Sequence, residues 1–346
     1  MDEVALRELT TNTSVVTALG VQHDPRVSIV IPTYNRAHKL RRLLQALADV
    51  RVPSGGMEVI VVNDGSTDYT LAVAEEAGVG CISQPNRGRA RARDLGWRVA
   101  TGDVIVFLDD DVVPEPQAID RMVRALDHAD AVGAQILPID THALIADYMH
   151  ADSIVNHYVI GGRVLWLITA AAAFRREALE RVNGFDLAYH QAGEDVDLTL
   201  RLVEAGGVLD LASEAVVYHE HPSRLRELWS TCNRYGRAYG TLAARHPVHR
   251  EERLRSARGR ANPREWLRLY RFYRAEASVR RSLVFMLLHA AVAAPYVAGL
   301  LRGGEQVPAE DDGRRELRGV AVRRPPRAAE AAVVDIAAAG ERETAA

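Results

Sequence analysis

From Val27 onward the chain alternates short, unbroken apolar runs with longer stretches whose apolar residues recur at helical spacing. The runs at 27–31, 58–62, 80–83 and 104–108 predict strands, and the stretches at 36–49, 70–77, 88–100 and 116–127 predict the helices between them. A strand with one wet face alternates apolar and polar residues. These runs do not, so they predict strands covered by helices on both faces. Strand and helix in alternation predict an α/β fold with parallel strands. The rhythm loosens at 131–137 and 164–174, with Gly161 and Gly162 between, which predicts strands and a loop flanking a cleft. A helix follows Gly193, and 224–245 and 262–281 predict helices rich in Arg and aromatic residues, outside the sheet, in a C-terminal extension over 224–302.

Residues 282–301 are about twenty mostly apolar positions, long enough to cross a bilayer. His289 and Pro295 interrupt the run, and Arg280, Arg281 and Arg302 flank it. Its alanine content equally suits a helix packed on the domain or one lying on a membrane surface. Residues 1–25 begin acidic and polar, without the basic and apolar pattern of a secretory leader, and read as a poorly ordered arm. Residues 303–346, rich in Arg, Glu, Ala and Pro, read as a disordered tail.

A length of 346 residues suffices for one large or two medium domains. The 43 Lys and Arg nearly balance the 46 Asp and Glu. No global field therefore marks a nucleic-acid binder, and specificity has to reside in local sites. Cys81 and Cys232 are too few and too far apart for a disulfide framework or a zinc cluster, which fits a reducing, cytoplasmic setting.

Candidate chemistry gathers at the ends of the predicted strands. Asp109, Asp110 and Asp111 close the run at 104–108. Adjacent carboxylates at the end of a buried strand are costly unless a cation or hydrogen-bond donors face them. Alternation along a strand puts Asp109 and Asp111 on one face and turns Asp110 away. A solvated acidic turn would read the same in isolation. The first strand runs into Pro32, Thr33, Tyr34, Asn35 and Arg36, and the second into Asn63, Asp64, Gly65, Ser66, Thr67 and Asp68. These are polar groups at the carboxyl ends of strands, where open α/β sheets bind ligands. Asp64 suits a base N–H and Tyr34 a base face, although both segments are also ordinary turn and cap sequences. No G-x-G-x-x-G follows the first strand and no G-x-x-x-x-G-K-[ST] occurs, which argues against a Rossmann dehydrogenase and a P-loop NTPase. Glu194, Asp195 and Asp197 open a helix whose Val196, Leu200 and Val203 share a buried face, a pattern that helix-dipole compensation also produces. His219 and His221, two apart on a predicted strand, face the same way, as paired metal ligands do.

In this order the segments resemble the family 2 glycosyltransferases, and the resemblance extends over 26–223. It implies a fold of the GT-A type, with a mixed, mostly parallel sheet flanked by helices. Asn63 stands where an aspartate is more usual, and Asp94, after Asn86-Arg87-Gly88, replaces a common asparagine. The resemblance implies a nucleotide-sugar site built from Pro32, Thr33, Tyr34, Asn35, Asp64, Gly65, Arg93, Asp109 and Asp110, with Arg93 near the donor diphosphate. It implies Mg²⁺ or Mn²⁺ held by Asp111, the last acid of a D-x-D motif, with His219 near the metal. Asp195 is then the general base, Glu194 orients the acceptor, and one or more of Arg224, Arg234 and Arg237 folds over the phosphates. The activity implied is inverting, metal-dependent transfer of one sugar from a nucleoside-diphosphate sugar, UDP before dTDP, to a glycan, lipid-linked or small-molecule acceptor. The segment 143–167 would shape the acceptor pocket, and the setting is the cytoplasm or the cytoplasmic face of a membrane. Two rival readings are a non-catalytic nucleotide-binding or membrane-associated scaffold and a sugar-phosphate nucleotidyltransferase. The latter resembles a chain with a glycine-rich loop after the first strand, which is missing here.

Overall fold

A computed structural model describes residues 25–139, 143–152, 154, 156–160, 162–189, 192–246, 263–303 and 322–323. Strands β1 (Val27–Thr33), β2 (Met57–Asn63), β3 (Gly80–Ser83) and β4 (Val104–Leu108) lie side by side in the order β3-β2-β1-β4, all parallel. Helices α1 (Ala37–Ala48), α2 (Thr70–Glu76) and α3 (Arg89–Val99) make the crossovers. Successive residues of β4 enter different cores: Val104, Val106 and Leu108 join α1, whereas Ile105 and Phe107 join α3. Two dry faces are why the strand residues need no polar alternation.

α1 buries Leu40, Leu43, Leu44 and Leu47. At roughly 1.5–3 kcal/mol for each fully buried leucine, this stripe supplies several kcal/mol of gross stabilisation. On the opposite face Phe107 meets Phe174 and Phe185 edge to face, with centroids 5.7 and 5.2 Å away. α3 lies so close to β1 that a Cβ on Gly96 would stand 2.3 Å from Val30 Cγ1. Only glycine permits that approach.

Beyond β4 the sheet continues through β5 (Val112–Pro114), β6 (Ala131–Pro138), β9 (Ala171–Arg175) and β10 (Leu209–His219) in the order β4-β9-β6-β10-β5. β6 and β10 are parallel, and the β4–β9, β6–β9 and β5–β10 pairs are antiparallel. Helix α4 (Ala118–Ala125) precedes β6. The helices α5 (Leu144–Ala151), α6 (Arg176–Arg181) and α7 (Glu194–Glu204) complete this half.

The irregular region 164–174, read as strand and loop, holds parts of two strands. It divides into β8 (Arg163–Trp166), which pairs with β7 (Tyr158–Ile160) in a separate ribbon, and β9 in the main sheet. Between them the N–H groups of Leu167, Ile168 and Thr169 donate to Thr199 Oγ1, His157 Nδ1 and Asp195 Oδ2. With those donors given to side chains, no ladder forms across 167–169.

The helices after β10 are α8 (Leu225–Arg245), α9 (Pro263–Glu276) and α10 (Val279–Gly303). The expected helix at 262–281 ends at Glu276, because Arg274 Nη1 binds the Ala277 carbonyl and Ser278 Oγ accepts the Arg281 N–H, opening a new helix. Leu228, Cys232, Tyr273, Phe285 and Val292 pack with Tyr148 and Met149 of α5. From the expected tail, Val322–Arg323 form β11, antiparallel to β3. Gly303 ends α10, and residues 304–321, 324–346 and 1–24 lie outside the described residues.

Candidate functional site

The parallel register sets Thr33 beside Asn63 and brings the end of β4 alongside them. Two loops meet at this edge. Asn35, at φ +52°, donates its N–H to Ser66 Oγ at 2.9 Å and accepts the Thr67 N–H at 2.8 Å. The loop holding Pro32, Thr33, Tyr34 and Asn35 is thereby tied to the one holding Asp64 and Gly65, and the Tyr34 ring is left exposed. Gly65 has φ +78°, and a Cβ there would lie 2.7 Å from Asn86 N. Buried Asp64 accepts from Gln84 Nε2 at 2.7 Å and from the N–H groups of Arg87 and Gly88 at 2.9 Å each. Both oxygens of Asp64 therefore shape the turn into α3.

The three aspartates separate as alternation predicts, although they follow the strand rather than end it. Asp110 turns back to β1, accepting from Thr33 Oγ1 at 2.8 Å and Arg36 Nη1 at 3.0 Å. Burial pushes its carboxyl up to about 6 against the pull of Arg36, with neighbouring Asp111 adding to the rise. Asp111 is buried too, yet its pKa is driven well below the usual range. The burial penalty is outweighed by His219, by Arg36 Nη1 at 2.8 Å and by Lys39 Nζ at 3.5 Å. His219 Nε2 lies 3.2 Å from Asp111 Oδ1. Burial alone would lower the histidine pKa, but the contact with Asp111 raises it.

Asp109, Asp111 and His219 each offer one ligand atom, and all three atoms lie within 4.8 Å of one another. Adjacent ligands of an octahedral ion at about 2.1 Å stand about 3 Å apart and opposite ones about 4.2 Å apart. The 4.8 Å bound is somewhat wider than that, so the three side chains converge on a volume that one ion could fill after a small closure. His219 Nδ1 is buried without a hydrogen-bond partner, Asp111 Oδ1 has only its contact with His219 Nε2, and the two carboxylates suit Mn²⁺ or Mg²⁺. The residues thus fit a divalent cation.

Arg93 connects this cluster to the acids of α7. Its guanidinium is buried, with Nη2 on Asp109 and Nη1 on Glu194. The resemblance set Arg93 near a diphosphate; here its two terminal nitrogens hold carboxylates, while its Nε is buried without a hydrogen-bond partner. Gly193, at φ +94°, starts α7. The helix buries Val196, Leu198 and Leu202 rather than Val196, Leu200 and Val203, since sheet and ribbon both cover it. Asp195 is half-buried, with the Val196 N–H at 2.8 Å and the Thr169 N–H at 3.4 Å. Burial, reinforced by the charge of Glu194, pushes Asp195 up to about 6.

Residues 28–182 match the sequence profile described as Glycosyl transferase family 2. The chain carries a family 2 glycosyltransferase domain. A pre-mycofactocin glycosyltransferase of Mycobacterium tuberculosis is 33% identical over 239 residues, which is 64% of this chain and 48% of that protein. The probable glycosyltransferase YdaM of Bacillus subtilis is 27% identical over 232 residues, 62% of this chain and 55% of the relative. The chain thus spans about half the length of the curated relatives it matches. Among solved structures, a mannosyltransferase from Pyrobaculum calidifontis, in complex with GDP-mannose and Mn²⁺, superposes with a TM-score of 0.59 at 20% identity. The match covers 82% of this chain and 88% of that one, and the fold is of the GT-A type.

The family 2 profile stops at 182, so Glu194 and Asp195 at the start of α7 and His219 at the end of β10 lie beyond it. Residues of this glycosyltransferase domain that the sequence did not single out are Lys39, Arg89 and Thr169. Nearby Glu194 and Asp109 raise the Arg89 pKa despite burial, and Tyr235 and Asp195 also lie close to it. The legible signal for Lys39 was its i+3 spacing from Arg36 on the helix facing the acids. His221 is buried with neither ring nitrogen hydrogen-bonded, 5.0 Å from the His219 ring and 6.4 Å from that of His150 on α5. Burial, with His219 adding, pushes it down to about 3. Arg224 and Arg237 are exposed, and Arg234 lies over the Tyr235 ring at 5.5 Å.

Proposed function

We propose that the domain transfers one sugar from a nucleoside-diphosphate sugar to an acceptor hydroxyl, with inversion at the anomeric carbon. The observation that carries this reading is the pairing of two acidic centres through Arg93. One, Asp109 and Asp111 with His219, fits a divalent cation. The other is Glu194, which Arg93 holds, with Asp195 beside it at the start of α7, where burial pushes the Asp195 carboxyl up to about 6. Asp109, Asp111 and His219 would hold Mg²⁺ or Mn²⁺, which when bound offsets the charge gathering on the departing diphosphate.

Asp195 supplies the base. The acceptor oxygen attacks C1, the bond from C1 to the diphosphate oxygen breaks with its electron pair leaving on the nucleoside diphosphate, and the acceptor proton passes to Asp195. A single in-line displacement inverts the carbon. The Thr169 N–H and the helix N-terminus hold the Asp195 carboxylate in place, and the Arg93 bridge fixes Glu194 and Asp109 relative to it. The loops of Asn35 and Asp64, tied to each other, form the floor for the nucleoside, with the exposed Tyr34 ring available to its base.

UDP is the favoured carrier and dTDP the next, with a glycan, lipid-linked or small-molecule acceptor. The buried cysteines, neither of them in a disulfide, suit the cytoplasm. The test is thermal unfolding with uridine, thymidine or guanosine diphosphate, with and without Mn²⁺. A ligand at about a hundredfold over Kd adds roughly 2.7 kcal/mol to stability. A metal-dependent shift with one diphosphate, accompanied by turnover of the matching sugar nucleotide, is the expected result. Binding without turnover of any sugar nucleotide would favour a scaffold instead.

A further inference from the structure

Outside the cleft, one helix leaves an apolar face in water. On α10 the residues Leu283, Leu287, Ala290, Ala294 and Val297 are all exposed, Leu283 by 53% and Leu287 by 71%. Their spacing puts them on one side of the helix, a polar-free stripe about 21 Å long. Ser282, Phe285, Val292, Pro295 and Gly299 on the other side are buried against the domain.

α10 is long and apolar enough to cross a membrane. Its packing argues against a crossing. Arg281 Nη1 binds Asp147 Oδ2 at 2.6 Å, His289 Nδ1 stands 3.1 Å from Asp152 Oδ1, and Asn233 Nδ2 donates to the Pro295 carbonyl at 3.1 Å. Gly299 touches α8 so closely that a Cβ would lie 2.2 Å from the Asn233 carbonyl oxygen. A bilayer span would draw Asp147, Asp152 and the polar face of α8 into hydrocarbon, where each uncompensated group costs several kcal/mol. A helix lying in the interface keeps every one of these contacts.

Charge indicates what surface it meets. Between 263 and 281 the chain carries six arginines and two glutamates, although its formal net charge is −3. Arg271, Arg274 and Arg280 are exposed, and so are Leu267 and Phe272 on α9. α9 packs on α10 through Tyr273 and Phe285, and a basic, aromatic helix next to an apolar stripe complements anionic lipid headgroups over acyl chains. We propose that α10 docks this chain in the plane of an anionic bilayer, with Leu283 and Leu287 facing the lipid. The proposal is independent of the transferase reading. The docked helix packs on α5, whose His150 stacks against His221, so docking would hold the cleft at a fixed height over the lipid.

The test is flotation of the full chain with vesicles of phosphatidylcholine alone or mixed with phosphatidylglycerol. The chain should float with the anionic vesicles and at least about tenfold less with neutral ones. The Leu283→Gln/Leu287→Gln pair should cut flotation at least about tenfold with an unchanged circular dichroism spectrum and melting point. Arg271→Gln/Arg280→Gln should weaken it and flatten its salt dependence. Three results would overturn the proposal. One is a folded wild-type chain that floats with neither vesicle. Another is binding that survives an alkaline carbonate wash, as a span would. The last is a dimer that the leucine pair converts to monomer without any vesicle binding, which assigns the stripe to a second copy.

Discussion

Replacing Arg93 with methionine isolates the electrostatics of the site. The Arg93 and Glu194 side chains are each only 2% exposed, whereas Asp109 is 21% exposed. Methionine fills much of the same elongated volume, so the main loss is the charge. Glu194 would then be a buried carboxylate without its cation, and breaking a buried pair by removing one partner costs about 3–5 kcal/mol. Asp109 adds little to that figure, because water reaches it. In a domain of roughly 200 residues each kcal/mol lowers the melting temperature by about 2–4 °C, so Arg93→Met should melt roughly 6–20 °C lower. Glu194→Gln in the same background removes the stranded charge and should restore most of the loss, giving a coupling energy of about 2–3 kcal/mol. Urea unfolding of the wild type, both single variants and the double variant measures it. A loss under about 1 kcal/mol for Arg93→Met, or a coupling under about 0.5 kcal/mol, would refute the buried bridge.

Asp111→Asn should abolish the Mn²⁺-dependent rise in melting temperature, and a shift of undiminished size would remove Asp111 from the cation site. Because Asp195 must be ionised to accept a proton, kcat/KM should climb as pH rises through about 6. Asp195→Asn should cost at least about 10² in kcat while donor binding persists, and a flat profile from pH 5 to 8 would contradict the base assignment. His157 is held neutral: burial pushes its pKa down to about 4, its Nε2 meets the Ala134 carbonyl at 3.0 Å and its Nδ1 accepts the Ile168 N–H. Between that value and the unfolded pKa of about 6.5 the unfolded chain binds the extra proton, so stability is full above 6.5 and falls toward pH 4, by about 3 kcal/mol. Urea midpoints at pH 7 and 4.5 should show this slope in the wild type and a shallower one in His157→Gln, and equal slopes would exclude His157 as its source.

The first four strands were legible because each is dry on both faces and ends abruptly in polar residues. The convergence of Asp109 and Asp111 followed from alternation alone, even though both lie just past the strand. Depth was harder to read. Arg93 sits at a helical spacing that serves a solvent face, a phosphate or a buried bridge equally well. What decides is that Glu194, 101 residues away, closes over it. For Asp64 the sequence offered a base contact or a turn, and it did not reveal that the Arg87 and Gly88 N–H groups converge on its carboxylate. The break between β8 and β9 depends on three side-chain acceptors, His157, Asp195 and Thr199, that lie 11 to 32 residues from the donors they take. Local sequence carries periodicity and termination well; it carries little of what a distant loop will do to a backbone donor.

The cations facing the acidic cluster divide by access to water. Arg93 is sealed, and the His219 side chain is only 8% exposed, while Arg36 is 42% exposed and Lys39 retains 16%. Arg93 holds Asp109 against Glu194, since a guanidinium buried there cannot leave without stranding the Glu194 carboxylate. Arg36 and Lys39 differ, for each can exchange a carboxylate for another anion at little desolvation cost, and Lys39 is already shared between Asp111 and Glu220 at 3.5 and 3.1 Å. A diphosphate entering with a divalent ion would bring both a new charge for Asp111 and new acceptors for these two side chains. The sequence segment that ends the first strand and opens α1 thus supplies the adjustable half of the site, and the buried edge of the sheet supplies the fixed half.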